Sequence, residues 1–215
     1  ADPPPGDWLS WRRTRNSHGY SPLDQVTRDN VADLTLAWSI SVRPGNHQTT
    51  PLVHDGVMFL ANPGNVVQAI DAATGDVIWV YRARLPEDAR AGATRTLAFY
   101  GDKLFLATAD AAVVALDART GAEVWRTVKA DYTQGFRQNA GPVIANGVVI
   151  TGTNGCDRYT EQSCFITGPD PDTGTELWRT STIALPGDPN DASWGDPPPY
   201  LRAGGDTWIP GSYDP

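Results

Sequence analysis

Cysteine, methionine and histidine are scarce in this 215-residue chain: it holds 2 Cys, 1 Met and 3 His. Three histidines spread over positions 18, 47 and 54 offer no pair at metal-ligand spacing. No Cys-x-x-Cys-His occurs, so the chain itself attaches no c-type haem. No apolar run reaches the length of a membrane helix. Basic residues are too few for a nucleic-acid surface, with 17 Lys and Arg against 25 Asp and Glu, a net charge of −8. A secretory leader is also missing, and the opening ADPPPGDW reads as a mature end left after cleavage.

What is abundant is turn-forming and aromatic: 21 Gly, 18 Pro and 8 Trp. That composition favours many short strands over long helices. A phrase recurs three times, AIDAATGDVIW at 69–79, ALDARTGAEVW at 115–125 and GPDPDTGTELW at 168–178. Its Thr-Gly pairs stand at 74–75, 120–121 and 173–174. Repeats of this period, each with short strands and one fixed turn, mark a β-propeller. The chemistry of the phrase is direct. Gly75 supplies a left-handed backbone, and Asp71 and Thr74 can bond the turn's own amides. Trp79 then offers a broad surface that its own repeat cannot bury.

The organisation follows from these repeats. Residues 1–33 form an arm pinned by Trp8 and Trp11, and 34–215 form the propeller segment. LTLAWSIS at 34–41 alternates and predicts a strand. Whole blades are expected over about 50–82, 96–129 and 141–181. Asp55-Gly56, Gly101-Asp102 and Asn146-Gly147 make the first hairpin turn of each. A Pro/Gly-rich loop covers 183–206, and TWIPGSYDP predicts the start of a further blade over 206–215. Cys156 and Cys164, in NGCDRYTEQSCF, read either as a metal pair or as a disulfide closing a small loop. The lack of any nearby His favours the disulfide, and with it an oxidising compartment.

GYSPLDQVTRDNVADLTLAW, TTPLVHDGVMF, the Trp-bearing phrase and GGDTW…YDP together resemble the amino-terminal part of a quinoprotein alcohol dehydrogenase. The resemblance implies an all-β fold, a partial β-propeller of about three complete four-stranded blades plus flanking strands of an eight-bladed ring. It also implies the cofactor pyrroloquinoline quinone (PQQ) and a Ca²⁺ or lanthanide ion on the ring axis. The expected partners are a small alcohol, a c-type cytochrome as electron acceptor, and the remaining propeller segment.

Carried over by position, the resemblance implies that Gln48, Arg95, Asn139, Asn154, Gly155, Cys156, Asp206 and Trp208 line the cofactor, with Asp157 on the metal. Gln48 replaces a Glu, Asn139 a Thr, Asp157 a Glu and Asp206 a Thr of the family pattern, and a vicinal Cys-Cys near Arg95 is absent. The family's catalytic Asp and a second metal-ligating Asn fall past residue 215, so no catalytic residue is assigned here. Read without the resemblance, Arg95 also suits a surface ion pair, Asp157 a turn cap and Trp208 blade packing. The departures leave a second function open: a non-catalytic scaffold binding partner proteins at the outer membrane.

Overall fold

The computed structural model describes residues 2–14, 16–156 and 159–214. Twelve strands form three four-stranded antiparallel sheets. The first contains β1 (Leu52–His54), β2 (Val57–Asn62), β3 (Val66–Asp71) and β4 (Val77–Arg82). The second contains β5 (Ala98–Tyr100), β6 (Lys103–Ala107), β7 (Ala112–Asp117) and β8 (Glu123–Val128). The third contains β9 (Val143–Ala145), β10 (Val148–Gly152), β11 (Phe165–Pro169) and β12 (Glu176–Ser181). Within each, strands neighbour one another in chain order, as in a propeller blade.

Turn chemistry sets the hairpins. Asp55-Gly56 and Asn146-Gly147 have positive φ at both residues, as a type I′ turn requires, whereas Gly101-Asp102 is positive only at Gly101, the type II′ pattern. The second turn of each blade is built by Asp71, Asp117 and Asp170, whose carboxylates accept backbone N–H bonds from Thr74, Thr120 and Thr173. Opposite each Trp the register slips, at Ala69/Ile70, Ala115/Leu116 and Gly168/Pro169. The residue paired with the indole must be small: a Cβ on Gly168 would lie 2.3 Å from Trp178.

Blades join through the tryptophans. Trp38, Trp79 and Trp125 donate their indole N–H to the carbonyls of Ala72, Ala118 and Pro171 at 3.0, 3.1 and 3.0 Å. Each ring lies flat on the turn glycine of the next repeat. A Cβ on Gly75, Gly121 or Gly174 would meet the indole at 2.7, 2.6 and 2.6 Å. Between the first two sheets sit Leu52, Phe59, Val67, Leu104, Leu106 and Leu116, all buried. Phe105, Val113 and Val149 fill the gap between the second and third. The middle sheet has neighbours on both faces, so β7 is buried along nearly all its length, while β12 is largely exposed.

Two expected strands do not form. Residues 34–41 carry no strand ladder. A strand needs an edge to pair with, and among the described residues none lies beside this segment; Trp38 alone anchors it to the first blade. Residues 206–214 are also not a strand. Thr207 N–H bonds Thr153 O at 3.1 Å and Gly204 N–H bonds Cys156 O at 3.3 Å, so this stretch runs alongside the third blade. The 183–206 loop is not featureless. It holds 3₁₀ turns at Asp191–Trp194 and Pro199–Leu201, tied together by an Arg202–Asp191 ion pair.

The arm docks by an isolated bridge between Trp8 and Val53, and by the His54 imidazole against the buried Asp7 carboxylate at 2.7 Å. Among the described residues no helix is long and apolar enough to cross a membrane.

The three turn aspartates titrate below the usual carboxylate range. The Thr74 amide is the main cause at Asp71, the Thr120 hydroxyl followed by its amide at Asp117, and the Thr173 amide at Asp170. A depressed folded-state value contributes stability above the ordinary aspartate value of about 4, and loses it as pH falls through the folded value. We therefore expect urea midpoints of the wild type to fall between about pH 5 and pH 3. The triple variant Asp71→Asn, Asp117→Asn, Asp170→Asn should show a shallower fall over the same range. Equal slopes would contradict this assignment.

Candidate functional site

The residues immediately before the inner strands of the three blades are laced together by backbone bonds. Thr50 N–H donates to Arg95 O at 3.1 Å, and Arg95 N–H to Asn139 O at 3.2 Å. Thr49 adds a hydroxyl bond to Thr94 O. Asn154 exchanges two backbone bonds of 2.9 Å with Arg137. Residues far apart in sequence are thus gathered at one end of the blades, where the loops approach one another.

At this end the Arg95 guanidinium lies over Trp208, its Cζ 4.9 Å from the ring centroid. Cation–π attraction favours that placement. Partial burial lowers the Arg95 guanidinium from its ordinary value, although a group of such high basicity stays charged. Its side-chain hydrogen bond among the described residues is a long one, 3.5 Å to Asn139 O, which leaves several N–H donors free. Trp208 is 52% exposed. The Asn139 and Asn154 side-chain oxygens are buried and find no partner among the described residues.

Cys156 and Cys164 form a disulfide, with Cα atoms 5.4 Å apart, which settles the two readings of that pair. Beside it, Gly155 adopts φ +89°, and a side chain there would strike Gly135 O at 2.2 Å. The Asp206 carboxylate accepts the N–H groups of Gly155 and Cys156 at 3.3 and 3.2 Å. It also lies 3.1 Å from the Cys164 sulfur. Thr207 fixes the segment further, its N–H and hydroxyl both donating to Thr153 O, the hydroxyl at 2.8 Å.

Of the residues singled out in the sequence, the structure brings together Arg95, Asn139 and Trp208 by direct contact, and Asp206 with Gly155 and Cys156. Gln48 is exposed, next to Thr49 and Thr50, which tie its segment to Thr94 and Arg95. Asp157, the expected metal ligand, lies outside the described residues.

Sequence reasoning missed the lock formed by Thr153 and Thr207. It also missed a polar cavity of about 40 Å³ lined by Asn65, Arg90, Gly92, Arg137, Gln138 and Asn139. There the Gln138 side-chain nitrogen is buried without a partner among the described residues, and the space is large enough for a water molecule. The only signal for the lock was a threonine just before Asn154 and another just before Trp208.

This assembly of antiparallel four-stranded blades, with Arg95 set over Trp208 at one end, is an arc of a β-propeller. The chain belongs to the PQQ-type glucose/ethanol/alcohol dehydrogenase β-propeller family, whose model matches residues 8–215. It is 34% identical to the dehydrogenase subunit of an alcohol dehydrogenase (quinone) from Gluconacetobacter polyoxogenes, over 100% of this chain and 32% of that protein. A 1-butanol dehydrogenase (quinone) from Thauera butanivorans is 33% identical over 97% of this chain and 38% of its own length. Among solved structures, a europium-containing methanol dehydrogenase superposes with a TM-score of 0.79 at 28% identity, covering 87% of this chain and 34% of that one. The Pseudomonas putida quinohemoprotein alcohol dehydrogenase ADHIIG gives 0.73 at 32% identity, covering 84% and 27%. The chain thus spans about a third of the length of these relatives.

The disulfide closes a short loop, and loops of this length contribute about 2–3 kcal/mol. The double variant Cys156→Ser, Cys164→Ser should lower unfolding free energy by about that amount in urea titrations. Native protein should release no reactive thiol to Ellman's reagent, and two per chain after reduction in denaturant. Reactive thiols in the native, unreduced protein would refute the pairing.

Proposed function

We propose that this chain contributes part of the cofactor face of a PQQ- and metal-dependent dehydrogenase that oxidises a small alcohol to a carbonyl compound. The observation that carries the reading is the Arg95 guanidinium stacked on Trp208, two residues from different repeats meeting at the gathered end of the blades. Trp208 supplies a flat apolar floor for a planar ring. Arg95 supplies free N–H donors in a rigid fork, suited to the ring's carbonyl or carboxylate oxygens. Asn139 and Asn154 place polar amides at the edge. Bound PQQ would supply the two-electron oxidising chemistry, which the side chains of this segment lack.

In this reading the chain's own residues hold and orient the ring and screen one face of it from water. The metal, Ca²⁺ or a lanthanide, would be held through Asp157 with oxygen ligands from elsewhere in the ring. The base that accepts the alcohol proton is assigned to no residue of 1–215. We further propose a periplasmic location, which the disulfide suits, and a c-type cytochrome as the electron acceptor. Completion of the propeller by a further segment is part of the same proposal.

Equilibrium dialysis of the full protein with PQQ and Ca²⁺ tests the reading. Binding should be saturable. Arg95→Ala should weaken it at least about tenfold, the scale of losing a charge-assisted hydrogen bond. Absence of PQQ uptake by the wild type would overturn the reading.

A further inference from the structure

Asp206 is set against the ligand chemistry just described. Two successive backbone N–H groups, of Gly155 and Cys156, converge at the left-handed Gly155, an arrangement that favours an anion. They lie on the segment next to Asn154, beside the proposed cofactor face. The chain fills them itself, with the Asp206 carboxylate. Asp206 is two residues from Trp208, so their backbones are separated by at most about 7 Å.

Two roles could explain this carboxylate. It could hold the 204–207 segment in place, or it could set the charge of the site. The segment is held without it. Gly204 N–H bonds Cys156 O at 3.3 Å, and Thr207 N–H and hydroxyl both bond Thr153 O. Gly205 is packed so closely on Thr182 that a Cβ would lie 2.5 Å from its hydroxyl. The two bonds to Asp206, at 3.2 and 3.3 Å, match the Gly204 bond in length and are longer than both bonds from Thr207. What the carboxylate adds beyond these is negative charge and the occupation of two anion-binding donors.

We propose that Asp206 is a specificity-determining residue that blocks the Gly155–Cys156 amides with its own carboxylate and so disfavours planar ligands that present a carboxylate there. This deepens the reading of the same face and rests on it. A tricarboxylate such as PQQ is then held through Arg95, with its acid groups turned from Asp206. A ring with the acids masked suffers no penalty from Asp206. Asp206 is exposed, and solvent screening limits the effect to about tenfold in affinity rather than thousands.

The test compares the full wild-type protein with Asp206→Asn and Asp206→Ala, using PQQ and its uncharged trimethyl ester, with binding followed by equilibrium dialysis. Each variant is first checked for retention of the disulfide by thiol titration. Asp206→Asn keeps the shape and one acceptor oxygen, and removes the charge together with the second acceptor. The expected result is PQQ binding about tenfold tighter in both variants, and ester binding unchanged. Weaker PQQ binding in both variants would overturn it and make Asp206 a structural latch. Equal PQQ affinity in all three proteins would also overturn it, while leaving the cofactor reading in place. No binding of either compound by any of the three would overturn the cofactor reading and this inference together.

Discussion

The contact on which the structure rests is an indole lying on a glycine. Trp38, Trp79 and Trp125 each project from one repeat onto Gly75, Gly121 or Gly174 of the next, and each bonds a carbonyl in the same turn. Apolar area and one directional hydrogen bond act at the same point. The first drives association and the second fixes the angle between blades. A side chain on the glycine would enter the ring, and the backbone there is left-handed, so the position excludes substitution on two counts. Because the contact repeats, each repeat is set on the next in the same way. Trp178, with no such partner among the described residues, is 39% exposed.

The site is a consequence of that repeated contact. Blades set on one another in this way bring their inner-strand ends together, and the Thr50–Arg95–Asn139 backbone chain records how close they come. Arg95 and Trp208 are more than 100 residues apart yet stack, because one leads into β5 and the other follows a segment laid along the end of β10. The cross-link from Cys156 to Cys164 stiffens the loop between β10 and β11, against which that segment lies. Polar groups short of partners at this end, the free N–H donors of Arg95 and the amide oxygens of Asn139 and Asn154, are tolerable in a face that takes a ligand and costly in one that does not.

Much of this was legible in the chain before its fold. The repeated phrase exposes its turn, its small residue and its indole, and all three work locally or against an identical neighbour. The Asp-Gly and Asn-Gly pairs declare their hairpins because the backbone demands them. Alternation misled at 34–41, where pattern implies a strand but a ladder needs a partner beside it. At 206–214 the pairing is made with residues some fifty positions earlier, and no local pattern reports that. Asp206 is the sharpest case. In sequence it is one substitution in a familiar segment, and its capture of two distant amides emerges only when the third blade is in place.

The docking contact can be measured directly by hydrogen exchange at ¹⁵N-labelled indoles, assigned by single Trp→Phe replacements. Slow exchange at Trp38, Trp79 and Trp125, with fast exchange at Trp178, is the result this structure predicts. Comparable exchange at all four indoles would contradict the stacking of repeat upon repeat.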